Sequence, residues 1–155
     1  MIRVYIICEG ETEELFVKKI LQPYFELKNI LVLVRKPKRG FNYEGLKNII
    51  IKTLNEDKNA YVTTLIDLYG MNNKYPGYEK NKNHSNPFEK VKLIESAVFQ
   101  DIINSTSYNQ KFIPHFQLHE FEAVLFSEPA IMQDWLSLDK AIPKDAFQNI
   151  RNNYA

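Results

Sequence analysis

Residues 2–16 read IRVYIICEGETEELF and join an apolar run to an acidic segment. Residues 2–8 are almost continuously apolar and rich in β-branched side chains, which is typical of a strand covered on both faces. Glu9 and Gly10 end this run, and the acids that follow suit the positive N-terminus of a helix, which we expect over residues 12–27. The stretch predicts a strand, a tight turn and a helix, with a carboxylate at the carboxyl end of the strand.

The first helix carries two local signals and one apolar stripe. Thr12 is expected to cap its N-terminus, because a threonine hydroxyl can accept a hydrogen bond from the first turn. Pro23 is expected to kink or restart the helix, because proline has no amide hydrogen. The side chains expected to pack inward are Leu15, Phe16, Lys19, Ile20, Tyr24 and Leu27.

The rest of the chain alternates between apolar runs and helical periodicity. Further strands are predicted over residues 30–34, 60–66 and 111–118, and further helices over residues 43–54, 88–103 and 119–126. Residues 71–87 are polar and contain two prolines, which indicates a long exposed loop. Strands that alternate with helices predict βαβ units, and therefore an α/β fold with a mostly parallel sheet flanked by helices.

Length and composition limit the class of protein. We expect a single domain over residues 1–155, and 45% hydrophobic with 25% charged residues is ordinary for a globular chain. The single cysteine, Cys8, excludes an internal disulfide and a multi-cysteine zinc site. Without a signal-peptide pattern or a membrane-length apolar run, the expectation is a cytoplasmic protein with no membrane segment. The last residues carry no helix terminator, so we expect that a C-terminal portion is missing.

Acids and a histidine directly follow three of the predicted strands. Glu9 follows the first strand, Asp67 the third, and His119, Glu120 and Glu122 the fourth. Right-handed βαβ crossovers bring the carboxyl ends of parallel strands to one edge, so we expect these side chains to lie there together. Carboxylates of this kind suit Mg²⁺ or Mn²⁺, ions that can activate a water against a phosphodiester.

Most of these residues also have a purely structural interpretation. Glu9 could simply end a strand, with its charge eased by the following helix, but its position before a glycine turn favours function. Asp67 is favoured for function because a carboxylate that ends an apolar strand is costly unless it is used or hydrogen-bonded. His119 could be a helix-start histidine, and one of the two following glutamates could be merely solvated. The supporting positions are Gly10, Glu13, Tyr69 and Gly70.

Basic and aromatic residues in two loops suggest contacts with DNA or RNA. Lysine and arginine can contact phosphates, and aromatic rings can stack on bases. A solvated basic loop is an equally good interpretation of the same residues. The candidate nucleic-acid contacts are Arg35, Lys36, Lys38, Arg39, Lys74 and Tyr75. The phosphate-binding, dinucleotide-binding and serine-hydrolase motifs are missing from the sequence, which disfavours those activities.

Several motifs, in this order, resemble a known family. Residues 8–16, CEGETEELF, resemble the EGxTEExF opening of Toprim-like (topoisomerase–primase) domains. With residues 66–70 (IDLYG), 75–77 (YPG) and 112–123 (FIPHFQLHEFEA), the chain is similar to domain-of-unknown-function family 4276. That bacterial family is often found in genomic neighbourhoods of phage defence, and the resemblance spans about residues 2–130.

The resemblance implies a Toprim-like fold with an acidic, Mg²⁺-dependent site. Toprim nucleases assign general acid/base work to the glutamate of the first motif, which corresponds to Glu9. They hold metal with a later Asp-x-Asp pair, and the matching residues here are Asp67, Leu68 and Tyr69. Since the second aspartate is absent, Glu120 or Glu122 would have to supply that carboxylate.

Two functions from different classes follow. The first is a metal-dependent nuclease or phosphoryl-transfer enzyme of phage defence, in which His119 orients or protonates the leaving group. The second is a non-catalytic binding or regulatory component of a multiprotein defence assembly, whose acids bind a basic partner surface or stabilise turns. The missing second aspartate favours this alternative, and the sequence leaves the oligomeric state open.

Overall fold

The computed structural model describes residues 1–37, 41–107 and 111–119. Residues 1–119 form one compact unit. The helix predicted over 119–126 lies outside the described residues, and the single domain expected over 1–155 stays a prediction. Within the described ranges, no helix is both long enough and apolar enough to cross a membrane.

A parallel sheet forms the centre of this unit. Its strands are β1 (Ile2–Cys8), β2 (Ile30–Arg35), β3 (Tyr61–Asp67), β4 (Phe112–Ile113) and β5 (Phe116–Gln117). The order is β2-β1-β3-β4, with β5 also paired to β3, and every pair is parallel. The predicted α/β fold with a mostly parallel sheet is therefore confirmed, whereas its Toprim-like character stays a prediction.

The strand predicted over 111–118 is interrupted in the structure, so that β4 and β5 pair with successive parts of β3. The interruption falls at Pro114, which has no amide hydrogen to donate to the sheet. Thr64 bridges the gap, because its hydroxyl accepts a hydrogen bond from His115 N at 2.9 Å and lies 2.7 Å from His115 O. A buried threonine side chain thus replaces the missing backbone pairing.

Helices cover both faces of the sheet. They are α1 (Glu11–Phe16), a π-helical turn (Val17–Leu21), α2 (Gln22–Glu26), α3 (Tyr43–Glu56), a 3₁₀ turn (Leu68–Gly70), α4 (Tyr78–Asn81) and α5 (Pro87–Ile103). The predictions for α3 and α5 are confirmed within two residues. The expectation of an exposed loop over 71–87 is wrong in part, because this stretch contains α4 and buries Met71 and Tyr75.

Two details predicted for the first helix are wrong, namely its N-cap and its buried face. Gly10, not Thr12, is the N-cap, and the helix begins one residue earlier than predicted. Before Pro23 the backbone widens into the π turn, in which Gln22 N–H bonds to Val17 O. The extra residue rotates the buried face, so Val17 is buried. The exposed members of the predicted stripe are Leu15, Lys19, Ile20, Tyr24 and Leu27.

Two apolar clusters fix β1 between the helical layers. The larger packs Ile7 and residues of β3 to β5 against α3 and α5. The smaller contains Ile6, Cys8, Val17 and Val32, and Cys8 is a buried apolar residue as expected. Since successive side chains of β1 enter opposite clusters, both faces of the strand are covered. Its carboxyl end, where Glu9 follows, is held in place from both sides.

Candidate active site at the carboxyl edge of the sheet

The strand register brings the predicted strand-exit residues to one edge. Cys8 on β1 pairs with Leu65 on β3, and Asp67 pairs with Gln117 on β5. Glu9 therefore leaves its strand beside the last residues of β3, and His119 follows β5 by two residues. Glu9, Asp67 and His119 thus lie at the same edge of the sheet. Glu120 and Glu122 lie outside the described residues.

The Glu9 carboxylate lies against the turn that follows β3. A Cβ atom placed on Gly70 would be 3.1 Å from Glu9 Oε1, so the glycine leaves room for the carboxylate. The Asp67 backbone hydrogen-bonds to this carboxylate. Glu9 Oε2 is buried and has no hydrogen-bond partner among the described residues. One oxygen of the carboxylate is thus enclosed without a hydrogen-bond donor from the part of the chain that the structure describes.

The electrostatic surroundings of Glu9 disfavour its charge. Burial raises the pKa of Glu9 above its ordinary value, and the negative charges of Asp67 and Glu13 raise it further. The backbone hydrogen bond from Asp67 acts in the opposite direction. A proton or a bound cation at this position would relieve the unfavourable charge, and acids with a perturbed pKa at such an edge are often found in functional sites.

The supporting residues predicted from the sequence have separate roles. Glu13 is 8% exposed and its Oε2 accepts the Gly10 N–H at 2.8 Å, so this acid closes the first turn of α1. Gly70 leaves room for Glu9, as described above. Tyr69 is 70% exposed and therefore projects from the turn into solvent. Glu13 thus caps the helix, whereas Gly70 in the turn after β3 lies against the Glu9 carboxylate.

Tyr75 was predicted to be an exposed contact for nucleic acid, but the structure buries it near the candidate site. Its side chain is 3% exposed, with ring centroids 5.2 Å from Tyr43 and 6.5 Å from Phe116. A ring so enclosed has no free face for a base, so the stacking role expected from the sequence finds no support. Burial raises the pKa of Tyr75, and the nearby Glu9 charge raises it further. The phenol therefore lies within electrostatic reach of Glu9.

The basic residues predicted to contact nucleic acid are largely engaged with acids. Arg35 Nη1 donates to Glu56 at 2.6 Å, and its guanidinium lies 4.6 Å from the centre of the Tyr5 ring. Lys36 forms an ion pair with Glu14. Lys74 is exposed, and Lys38 and Arg39 lie outside the described residues. Among the described members of this set, Lys74 is the one that the structure presents to solvent.

His119 lines a cleft between β5 and α5. The cleft has a volume of about 340 Å³, and its lining includes Phe88, Lys92 and Glu95 from α5. The side chains of His119 and Phe88 are both exposed. The structure thus places His119 at the predicted edge but on the side of the sheet that α5 covers.

The described carboxylates of this edge do not make up a metal-binding cluster by themselves. No group of three or more histidines, cysteines or acids close enough to hold a metal occurs within residues 1–37, 41–107 and 111–119. Mg²⁺ commonly takes one or two protein carboxylates and completes its shell with waters and substrate phosphates. Glu9, whose buried Oε2 has no partner among the described residues, and its neighbour Asp67 are carboxylates of the kind that such an ion takes.

The fold and the edge together define an α/β protein with an acidic site at the carboxyl ends of parallel strands. Residues 8–155 match the family described as "Domain of unknown function (DUF4276)". The chain belongs to this family, as its motifs predicted. No curated protein and no solved structure matches the chain.

Proposed function

We propose that this protein is a Mg²⁺- or Mn²⁺-dependent nuclease, or a related phosphoryl-transfer enzyme of Toprim-like type. It would act on DNA or RNA in the cytoplasm, as part of phage defence. The observation that carries this proposal is the half-buried Glu9 carboxylate beside Asp67, whose enclosed Oε2 has no partner among the described residues.

The unpartnered oxygen supports a ligand site for an energetic reason. A buried polar atom left without a partner costs about 1–3 kcal/mol, and more when it is charged. The nearby acid Glu13 does not carry this cost, because its Oε2 accepts a hydrogen bond from the Gly10 N–H. Glu9 lies at the edge where α/β sheets bind ligands. A destabilising group kept at such a place is typical of a functional site.

The roles of the residues follow from their positions. Glu9 and Asp67 would hold the cation, with Glu120 or Glu122 as the further carboxylate. When bound, Mg²⁺ polarises a phosphodiester and favours ionisation of a coordinated water. Burial raises the pKa of Glu9, which makes its carboxylate a better proton acceptor, and Glu9 would therefore do general acid/base work. His119, exposed at the same edge, would orient or protonate the leaving group.

Nucleic acid would approach this edge through its basic residues. Lys74 is exposed on the segment that also buries Tyr75, so it can contact a phosphate without breaking an ion pair in the described structure. Arg35 and Lys36 would first have to exchange Glu56 and Glu14 for phosphate. We therefore expect Lys74 to contribute more to strand binding than either of these two residues, and Lys38 and Arg39 to extend that contact.

A second candidate function is a non-catalytic component of a defence assembly. The observation that favours it is Tyr69, which occupies the position of the second Toprim aspartate and is 70% exposed. An exposed aromatic side chain at this edge suits contact with a partner protein better than it suits metal binding.

Cleavage assays on wild type and three folded variants separate the two functions. With Mg²⁺ or Mn²⁺ and single-stranded DNA, duplex DNA or RNA, wild type should cleave at least one substrate, and chelation should stop it. Glu9→Gln and Asp67→Asn should lose about 100-fold or more in rate. Glu14→Gln is the matched control, because this acid follows Glu9 closely but is ion-paired with Lys18 and Lys36. Equal rates for wild type and Glu9→Gln would reject the nuclease and favour the assembly component.

A further inference from the structure

A cavity of about 630 Å³ lies between the end of β2 and one face of α3. Its volume falls in the range of small-molecule sites, about 300–1,000 Å³. Arg35, which lines the cavity, pairs with Ile7 on β1, two residues before Glu9. The cavity thus adjoins the edge of the sheet that carries the candidate active site, but Glu9 and Asp67 are not among its lining residues.

The lining of this cavity carries an excess of positive charge. Arg35, Lys36 and Lys52 are cations, and Glu56 is the one acid among the described lining residues. Two positive charges are therefore left unbalanced within the cavity. A cleft lined by one sign of charge concentrates ligands of the opposite sign, so this cavity favours an anion.

Lys36 contributes to this excess although it is ion-paired with an acid outside the cavity. Its partner Glu14 also pairs with Lys18, so one acid serves two lysines and cannot neutralise both. The cleft beside β5 differs, because its lining includes one lysine, Lys92, and one glutamate, Glu95, whose charges balance. Of these two cavities, the one at the end of β2 is the one suited to an anion.

Arg35 is held in a fixed orientation and has donors to spare. Its guanidinium lies 4.6 Å from the centre of the Tyr5 ring, and Nη1 donates to Thr53 Oγ1 at 3.0 Å and to Glu56 at 2.6 Å. Its Nε and Nη2 have no acceptor among the described residues, and such a pair of nitrogens can bind two oxygens of one phosphate. A strand phosphate at Nη1 would have to replace Glu56, whereas a ligand within the cavity can use Nε and Nη2 beside it.

We propose that this cavity binds the phosphate monoester of a nucleotide, either as a free mononucleotide or as the 5′-phosphorylated end of a strand. A phosphate monoester carries about −1.5 to −2 charges at pH 7, which matches the unbalanced charge of the lining. A phosphodiester within a strand carries one negative charge and would leave part of that excess unbalanced. Arg35 holds two oxygens of the phosphate, and Lys36 and Lys52 supply the remaining positive charge.

The rest of the lining suits a nucleoside. Ile49 and Pro37 offer apolar surface to the sugar or the base. Asn48 is exposed, and its side-chain amide can both donate to and accept from the edge of a base. Mostly apolar walls with a few polar groups are typical of small-molecule sites. The binding of this ligand goes beyond the nuclease proposed above and does not depend on it.

An NMR titration of the full chain with AMP, with chelator present, tests the site. We expect the amide signals of residues 35–37 and 48–56 to shift, while those of residues 9–10 and 67–70 stay unchanged. Adenosine, which lacks the phosphate, should bind at least about tenfold more weakly, because it loses the charged contacts. The proposal is overturned if AMP does not bind, if the shifts occur only at residues 9–10 and 67–70, or if adenosine binds as tightly as AMP.

Two matched lysine variants test the contribution of charge from α3. Lys52 and Lys92 are both exposed, and each pairs with a glutamate of its own helix. Lys52→Ala should weaken AMP binding about tenfold, whereas Lys92→Ala should leave it unchanged. Arg35→Lys keeps the charge but removes the pair of nitrogens, so it should weaken binding at least as much as Lys52→Ala. Wild-type affinity in Lys52→Ala, or an equal loss in Lys92→Ala, would contradict the proposal.

Short strands distinguish the two sources of the monoester. If a 5′-phosphorylated dinucleotide binds as tightly as AMP, the site accepts the end of a strand, and if it binds more weakly, the ligand is a free mononucleotide. Both results support a monoester site. A dinucleotide without the 5′-phosphate that binds as tightly as AMP would overturn it, because that molecule carries only a diester. These measurements need neither metal nor cleavage, so failure of the nuclease would leave their outcome unchanged.

Discussion

The charged side chains at the two ends of β1 differ in whether they have a partner among the described residues. Near its start, Arg3 donates to both oxygens of Asp57, at 2.6 and 2.8 Å, so both charges are neutralised. Just after its end, Glu9 keeps a buried oxygen that no described residue satisfies. The two ends belong to one strand, packed on both faces. The fold therefore pairs a charge near the start of β1. It leaves one unpaired, among the described residues, at the opposite edge, where ligands of α/β sheets bind.

The unsatisfied state is also local among the described acids. Glu56 receives Arg35, Glu14 receives Lys36, and Asp101 receives Tyr43 and Lys47. Exposed pairs of this kind contribute little to stability, yet they show that basic partners are at hand over much of the surface. Among the acids of the described residues, Glu9 is the one with a buried oxygen that has no hydrogen-bond partner.

The largest effect on stability that we expect separates the two adjacent tyrosines. Tyr43→Phe should lower the free energy of unfolding by about 1.5–3 kcal/mol, because its hydroxyl bonds to a charged acid. Tyr75→Phe should cost nothing or stabilise slightly, because its hydroxyl has no protein partner among the described residues. Urea denaturation of both variants measures this. Equal losses would mean that Tyr75 has a structural partner and would remove the contrast.

A smaller effect is expected from a methyl group added at Gly70. In Gly70→Ala the new Cβ would lie 3.1 Å from Glu9 Oε1, so the carboxylate must move by a few tenths of an ångström. We expect the cleavage rate to fall about tenfold, since a misplacement of about 1 Å costs about 100-fold. Gly45→Ala in α3 is the control and should keep full activity. An unchanged rate in Gly70→Ala would show that the position of Glu9 is not critical.

The paired end of β1 should respond to acid. Arg3 lowers the pKa of Asp57 to about 2, below its value in the unfolded chain. The pair therefore stabilises the fold fully above about pH 4, and this contribution is lost as the pH falls from about 4 toward 2. Thermal melts should show Asp57→Asn less stable than wild type at pH 7, with the gap closing near pH 2. A gap that persists at pH 2 would contradict this account.

The smallest effect, and one of opposite sign, is expected at Glu9. A carboxyl whose pKa is raised in the folded state destabilises the fold when it is ionised, at pH values above that folded pKa. With chelator present, Glu9→Gln should therefore melt at a slightly higher temperature than wild type at pH 8. The gain should shrink as the pH falls through the folded pKa and wild type becomes protonated. A lower melting temperature for Glu9→Gln at pH 8 would mean that the protein already satisfies this charge.

The sequence predicted the elements that depend on local pattern. The apolar run before Glu9, and the one before Asp67, predicted parallel strands, and the direction of βαβ crossovers then placed both acids at one edge. Features that depend on tertiary contacts were missed. The side chain of Thr64 replaces backbone pairing at Pro114, and no local signal announces that role. Tyr75 stands in a polar segment, so its pattern indicated a loop while the packing of its ring decided its burial.

The most direct test of the Glu9 site is a Mn²⁺ titration followed by backbone amide NMR, because a bound paramagnetic ion broadens nearby signals. At low Mn²⁺, the amides of residues 9–10 and 67–70 should broaden first, while those of Arg3 and Asp57 stay sharp. The selective broadening should disappear in Glu9→Gln and persist in Glu14→Gln. Sharp signals at residues 9–10 and 67–70, or the same broadening in Glu9→Gln, would contradict a cation site at this end of β1.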